Sequence, residues 1–398
     1  MRILFLDQSG KLGGAELCLA DIAQAFGQTC LVGVFAEGNF PDHLRQLNIP
    51  VKVLAEQTLE VQKASGLLTG LKSLNKLLPL VATVTQLSKA YDLIYANTQK
   101  ALVVGAIASF LSGRPLVYHL HDIVSPDHFS ATNRRIIVTL ANRAALVIAN
   151  SQASRDAFIE AGGRSDRLHV VYNGFHPALY ASQTGDDTCS AQASQRLRQT
   201  LTANLPSAAP FIVGHFSRLS PWKGQHILIE ALQHCPDHVV ALLVGDALFG
   251  EQDYVQQIHR QVEALQLQHR VHFLGFRSDI PQLMAACDLV AHTSTAPEPF
   301  GRVIVEAMLC GTPVVAAAAG GAAELVDHGS TGWLSPPGEA EKLAEVINLV
   351  CAQSDGARAI AQKAQQQAQV RFNLTHTNQQ IKHLLNQIKR VSEKSGLG

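Results

Sequence analysis

The sequence predicts an α/β protein built from two doubly wound domains, each around a mainly parallel sheet. Three observations carry this. The chain has 398 residues, more than a single hydrophobic core usually organises, so two domains are the natural division. Short runs rich in Val, Ile and Leu alternate with longer helical patterns, as βαβ units require when helices cover both faces of a sheet. This alternation fades after residue 175 and restarts at residue 211, so the same architecture is read twice.

In the first half, strands are expected at 2–6, 30–35, 51–54, 93–96, 116–119, 146–149 and 169–172, with helices such as 15–26 between several of them. Residues 1–175 are therefore read as an N-terminal Rossmann-like domain. The stretch 176–210 carries Gly185, Asp186, Asp187 and several Ser and Gln, and it closes on a Pro-Ser-Ala-Ala-Pro run. That shift from core to connector composition marks the boundary. The second half has expected strands at 211–215, 239–244, 271–274, 289–292, 313–317 and 332–334, with helices at 224–232, 253–265, 280–286 and 303–309. Residues 211–373 form the C-terminal Rossmann-like domain on this reading. Residues 374–398 form a closing helix packed back on the N-terminal domain, its apolar face carrying Ile381, Leu384, Leu385 and Ile388.

Lys+Arg and Asp+Glu each total 32, which argues against charge-driven binding to nucleic acid and leaves any electrostatic attraction local. The seven cysteines are odd in number and scattered without a C-x-x-C pair, so neither a disulfide framework nor a zinc site is expected. A reducing cytoplasm fits this usage. The N-terminal apolar run stops at Asp7, too short for a signal segment or membrane span, and suits a first buried strand.

The residues that carry chemistry follow strand ends. Gly10-Lys11-Leu12-Gly13-Gly14-Ala15-Glu16 follows the first strand and opens the first helix, where free amides and the helix dipole favour a phosphate. Gly13 and Gly14 would let such a ligand touch backbone, with a plain tight turn as the alternative reading, and the loop lacks the G-x-G-x-x-G spacing of dinucleotide binders. Arg218 and Lys223 follow the strand at 211–215, at the sheet edge where open α/β folds bind ligands. They read either as solvated surface charges or as a diphosphate grip, with Arg bidentate and Lys a mobile point charge. Glu298 precedes Pro299 in a loop and Glu306 lies inside the next helix, with the amides of Phe300, Gly301 and Arg302 at its start. Two readings stay open for this pair: carboxylates for sugar and ribose hydroxyls with phosphate near the amides, or N-terminal capping plus a helix salt bridge.

At this point the sequence resembles glycosyltransferase family 4, the retaining transferases of the GT-B architecture, over nearly its whole length. The resemblance rests on Gly13 to Glu16, His121-Asp122, Tyr172-Asn173-Gly174, Arg218 with Lys223-Gly224, the stretch from Glu298 to Glu306, and Gly311-Thr312-Pro313-Val314-Val315 followed by Gly320-Gly321 and Glu324. Each piece is common and the ordered set is specific. Residues 56–90 depart most, where such enzymes vary with their acceptors. The resemblance implies a GT-B fold, two Rossmann-like domains facing each other across a cleft. It also implies that Arg218 and Lys223 hold the donor diphosphate, that Gly13 and Gly14 approach it, that Glu306 binds ribose, and that Glu298 lies beside the transferred sugar. The amides of Phe300, Gly301 and Arg302 would orient that sugar, and His121 would contact it. Phe276 and Arg277, in the loop after the strand at 271–274, are the expected neighbours of the nucleotide base.

The implied reaction moves a sugar, a hexose on this reading, from a nucleotide-diphosphate sugar to a hydroxyl of a glycan, lipid-linked or small-molecule acceptor. A nucleotide-sugar epimerase of the same architecture is the alternative. No cofactor and no metal is expected: cationic side chains can stabilise the leaving diphosphate, and the paired Asp186-Asp187 lack further ligands. His119 is expected inside a strand, hence structural. Leu67, Leu71, Leu74 and Leu78 with Lys63, Lys72 and Lys76 read as an ordinary amphipathic helix, interrupted at Pro79, or as a face touching a membrane. The expectation is a cytoplasmic protein with at most weak peripheral attachment to the membrane, and no nucleic-acid partner.

Overall fold

The computed structural model describes residues 1–54, 67–181, 195–201, 209–247 and 250–394, with the side chains of residues 67–76, 181 and 390–394 outside that description. It divides into two compact units, residues 1–175 with 374–398, and residues 176–373.

The first unit contains a seven-stranded parallel sheet in the order β3-β2-β1-β4-β5-β6-β7. Its strands are β1 (Ile3–Asp7), β2 (Cys30–Val34), β3 (Val51–Val53), β4 (Leu93–Ala96), β5 (Leu116–Leu120), β6 (Leu146–Ala149) and β7 (Leu168–Val170). Strand order runs outward from β1 in one direction and from β4 in the other, which leaves a crevice at the carboxyl ends where the winding reverses. Alternation at period two divides the strand side chains between two cores. Leu4, Leu6, Ile94, Ala96, Tyr118 and Leu120 face one layer, while Ile3, Phe5, Leu93, Tyr95, Val117 and Ile148 face the other. The second layer also takes Ile381 and Leu385 from helix Leu374–Lys394, both fully buried. Burying two such side chains contributes about 1.5–3 kcal/mol each, which is why the last helix belongs to this unit.

The second unit repeats the plan with six parallel strands in the order β10-β9-β8-β11-β12-β13. They are β8 (Phe211–Phe216), β9 (Val239–Val244), β10 (Val271–Gly275), β11 (Leu289–His292), β12 (Val314–Ala317) and β13 (Trp333–Ser335). Its winding reverses between β8 and β11, so the loops after those two strands share one edge.

Differences from the sequence reading sit at strand ends. The strand expected at 169–172 is Leu168–Val170, because it is an outer strand and its ladder with β6 covers only Val147 to Ala149. The strand expected at 332–334 is shifted to Trp333–Ser335, since pairing with β12 begins at Trp333 opposite Val315. Pro79 lies within helix Leu67–Ser88 without ending it, held there by Leu80, Val81 and Val84, which are buried against the sheet. Part of the stretch read as connector is ordered: Arg198 donates to Asp288 Oδ2 at 2.8 Å and to the Ala286 and Pro210 carbonyls. Asp186, Asp187, Cys189 and Lys63 lie outside the described residues, as do the side chains of Lys72 and Lys76. Among the described residues, no helix is long and apolar enough to cross a membrane.

Candidate active site

The second unit's site is built on the turns that follow β8 and β11. After β8 the chain passes Arg218, which is half-buried, and makes a short 3-10 turn, Pro221–Lys223. Gly224 then takes φ 73°, and a Cβ there would lie 2.0 Å from the Thr293 carbonyl oxygen. Only glycine allows that approach, so Lys223 is pinned against the end of β11. Thr293 Oγ1 fixes the turn further by donating to the Lys223 and Gly224 carbonyls.

The pinned Lys223 points its ammonium at Glu298, with Nζ 2.7 Å from Oε2 and 3.0 Å from Oε1. Its ammonium also lies 3.9 Å from the centre of the Trp222 ring, a cation–π contact. Ser294 Oγ donates to Glu298 Oε2 at 3.0 Å. His292 Nε2 lies 3.4 Å from the same oxygen, and because His292 Nδ1 accepts from the Ala317 amide, Nε2 carries the proton and is the donor. Burial opposes ionisation of Glu298, but the Lys223 charge and the His292 hydrogen bond outweigh it and hold the carboxyl well below the ordinary range. His215, buried in β8, is pushed down to about 3 by burial, with its Nε2 donating to the Lys223 carbonyl.

The Glu298 loop is clamped from the other side. Gly321 N donates to the Glu298 carbonyl at 2.7 Å, and a Cβ on Gly321 would meet the Pro299 oxygen at 2.3 Å. Helix Arg302–Leu309 follows, started by Gly301 at φ 94°. Phe300 turns its ring into the core, edge-on to Phe372 at 6.0 Å, so only its backbone is available to a ligand. Glu306 pairs with Arg302 across one turn at 3.5 Å, and burial raises its carboxyl. This is the helix salt bridge that one sequence reading foresaw, and it leaves the ribose role of Glu306 to be tested. Phe276 is exposed after β10, and Arg277 is held bidentately by Asp279 at 2.8 and 2.6 Å.

The first unit has its own polar cluster where β1, β4 and β5 end. Asp7 accepts from the Ser9 amide and from Asn97 Nδ2 at 2.8 and 2.7 Å, and burial pushes it up to about 6. Glu16, at the start of helix Gly14–Gln24, is pushed up to about 8 by burial and then by the Asp7 charge. Gly10 is explained by packing, since a Cβ there would lie 2.0 Å from the Glu37 oxygen, whereas Gly13 is the N-cap of the helix that Gly14 opens. His121 leaves the end of β5 and contacts Asn97 Oδ1 at 2.9 Å through Nε2. His119 lies inside β5, fully buried and held neutral by that burial, with Nδ1 2.8 Å from Tyr95 Oη.

Two family models divide the chain between them: glycosyltransferase family 4 matches residues 12–179 and group 1 glycosyl transferases match residues 200–388. Anabaena HepE, solved in complex with UDP-glucose, is 60% identical, and the match covers 97% of this chain and 100% of that one with a TM-score of 0.88. The chain belongs to glycosyltransferase family 4. Its fold is the α/β GT-B class, with two doubly wound domains. Among curated relatives, spore coat protein SA of Bacillus subtilis is 32% identical over 216 residues, 52% of this chain and 55% of that protein. The D-inositol 3-phosphate glycosyltransferase of Xylanimonas cellulosilytica is 29% identical over 281 residues, 68% of this chain and 65% of its own length. The chain thus spans between half and two thirds of these two curated relatives.

Within this family member, the structure brings Lys223 and Glu298 into contact, places Arg218 on the same β8 turn as Lys223, and seats Glu306 on the helix that follows the Glu298 loop. Residue spacing did not single out His292, Ser294 and His215, which support that pair. The signal was present only as polar residues at the carboxyl ends of β8 and β11. No paired-cysteine motif marks Cys18, His119 and His121, whose ligand atoms all lie within 4.8 Å of one another.

Proposed function

We propose that this chain transfers a hexose, with retention of configuration, from a nucleotide-diphosphate sugar to a hydroxyl of a glycan, lipid-linked or small-molecule acceptor, and that the donor is UDP-glucose. The observation that carries the reading is the half-buried cationic turn after β8, with Arg218 and Lys223 on one turn and Lys223 against Glu298 at the edge where the winding reverses. The donor assignment is supported by HepE, which has been solved with UDP-glucose, with UDP and glucose, and with UDP, at 60% identity.

In the proposed reaction the anomeric C–O bond breaks and its electron pair passes to the leaving UDP, while the sugar becomes oxocarbenium-like. Negative charge therefore grows on the diphosphate, and Arg218 and Lys223 answer it electrostatically. Glu298, kept ionised, sits beside the positive sugar. The acceptor oxygen attacks the same face, and its proton passes to the departing phosphate oxygen. The family resemblance makes His121 a contact to the donor sugar and Glu306 a partner of the ribose. No metal step is needed, since the leaving charge has two cationic partners. We place the enzyme in the cytoplasm.

The test is a reaction of UDP-glucose with and without an acceptor panel that includes soluble glycans and lipid-linked sugars, followed by NMR of the anomeric centre. Acceptor-dependent UDP release with an α-linked product is expected. A β-linked product would overturn retention, and conversion of the donor to an isomeric nucleotide sugar without acceptor would overturn transfer.

A further inference from the structure

Cys18 from helix Gly14–Gln24 meets two histidines of one His-x-His run at the carboxyl end of β5, His119 in the strand and His121 just beyond it. Their ligand atoms all lie within 4.8 Å of one another, and the two imidazole rings are 4.0 Å apart. The surrounding hydrogen bonds decide which atoms are offered. Asn97 Nδ2 is committed to Asp7 and to the Ala15 carbonyl, so Asn97 Oδ1 is the acceptor of its contact with His121 Nε2. His121 Nε2 therefore carries the proton, and its lone pair is on Nδ1. His119 uses Nδ1 toward Tyr95 Oη. Its Nε2 is buried without a hydrogen-bond partner, in a residue only 1% exposed. Buried polar nitrogens almost always find a partner, so an orphaned one asks for an explanation.

We propose that Cys18, His119 and His121 form a binding site for a zinc ion. One thiolate and two neutral imidazoles are a donor set for borderline-soft Zn²⁺ and a poor one for Mg²⁺ or Ca²⁺, which take oxygen ligands. Zn–S and Zn–N bonds of about 2.3 and 2.0 Å place tetrahedral ligand atoms roughly 3.5 Å apart, so closure needs a contraction of roughly 1 Å shared by three side chains. Tyr95 and Asn97 already orient the two rings from their far nitrogens, as outer-shell partners of metal-bound histidines do. Binding exchanges the Cys18 S–H bond for an S–Zn bond, releases that proton to solvent and replaces the present contact of Cys18 Sγ with Asn173 Oδ1 at 3.3 Å. The fourth position falls to water. The site stands independently of the transferase reading. Its consequence rests on that reading: an ion on His121 would withdraw that ring from the donor sugar and lower turnover.

The test uses the full chain after chelator treatment, titrated with Co²⁺ as a spectroscopic substitute and then with Zn²⁺ in competition. The expected result is one equivalent of Co²⁺ with a thiolate-to-cobalt charge-transfer band and tetrahedral visible bands, both bleached by Zn²⁺. Cys18→Ser should abolish the charge-transfer band. Cys18→Ser and His119→Gln should each weaken Zn²⁺ binding by more than the about 10–100-fold typical of outer-shell changes, with circular dichroism checking that each variant folds. Absence of the band in the wild type, or a band that survives in folded Cys18→Ser, overturns the proposal. A parallel assay of transfer separates the two readings. Inhibition by Zn²⁺ that Cys18→Ser relieves supports both, whereas Co²⁺ binding without inhibition keeps the site and removes His121 from the transfer step.

Discussion

Lys223 Nζ meets both oxygens of Glu298, at 2.7 and 3.0 Å, across 75 residues of sequence. Their side chains are only 16% and 12% exposed, so the pair is held largely out of water. Breaking one partner of such a pair leaves a buried charge without compensation. Lys223→Ala is therefore expected to lower stability by about 3 kcal/mol as well as turnover. Adding Glu298→Gln should restore most of the melting temperature while leaving the enzyme inactive. Denaturant titration of the single and double variants checks this, and equal stability of wild type and Lys223→Ala would show that the pair is already solvated.

Arg218 lies on the same turn. Arg218→Ala is expected to reduce kcat by roughly 10²-fold, the usual consequence of removing one preorganised partner of developing charge. Steady-state kinetics with UDP-glucose test this. A soluble variant with the wild-type rate would remove Arg218 from the leaving-group site.

Glu306 separates two readings that share one geometry. If its carboxylate serves ribose, Glu306→Ala should weaken UDP binding by about 1–3 kcal/mol with the fold retained. If it only pairs with Arg302, UDP affinity measured by calorimetry will be unchanged and only the melting temperature will fall slightly.

The pH dependence of the second unit follows from His215 and Glu298. The folded state holds His215 neutral down to about 3, whereas an unfolded histidine takes a proton near its ordinary value of 6.5. Between those limits the unfolded chain binds more protons, so stability is complete above pH 6.5 and falls as pH drops toward 3. Glu298 acts with the same sign, because its lowered carboxyl contributes stability above its ordinary value of 4.5 that is lost on acidification. The raised carboxyls of Asp7, Glu16 and Glu306 act with the opposite sign, so the test is a difference: on acidification from pH 7.5 to 4 the wild type should lose more melting temperature than His215→Asn. The same pH dependence in wild type and His215→Asn would contradict the buried, neutral state of His215.

The sequence alone was sufficient for the architecture, since alternation of buried runs and helical patterns is a local consequence of how strands and helices cover a core. β9, for which residues 239–244 were expected, is Val239–Val244, and all its residues are buried. Strand ends were less legible: whether Tyr172 or Trp333 is paired depends on the neighbouring strand, as the ladders of β7 and β13 show. At the site, Lys223 and Glu298 were readable as residue types at strand ends, because glycines and prolines mark those turns. Their contact was not readable. It depends on Gly224 passing under Thr293 and on Gly321 clamping the Glu298 loop, both close approaches between chain segments far apart in sequence. The same holds for the approach of Cys18 to His119 and His121, which the packing of helix Gly14–Gln24 against the sheet decides. Local sequence decides which elements form, through propensity and periodicity. Which side chains share a few ångströms is decided by the packing of distant segments, and only the tertiary structure contains that information.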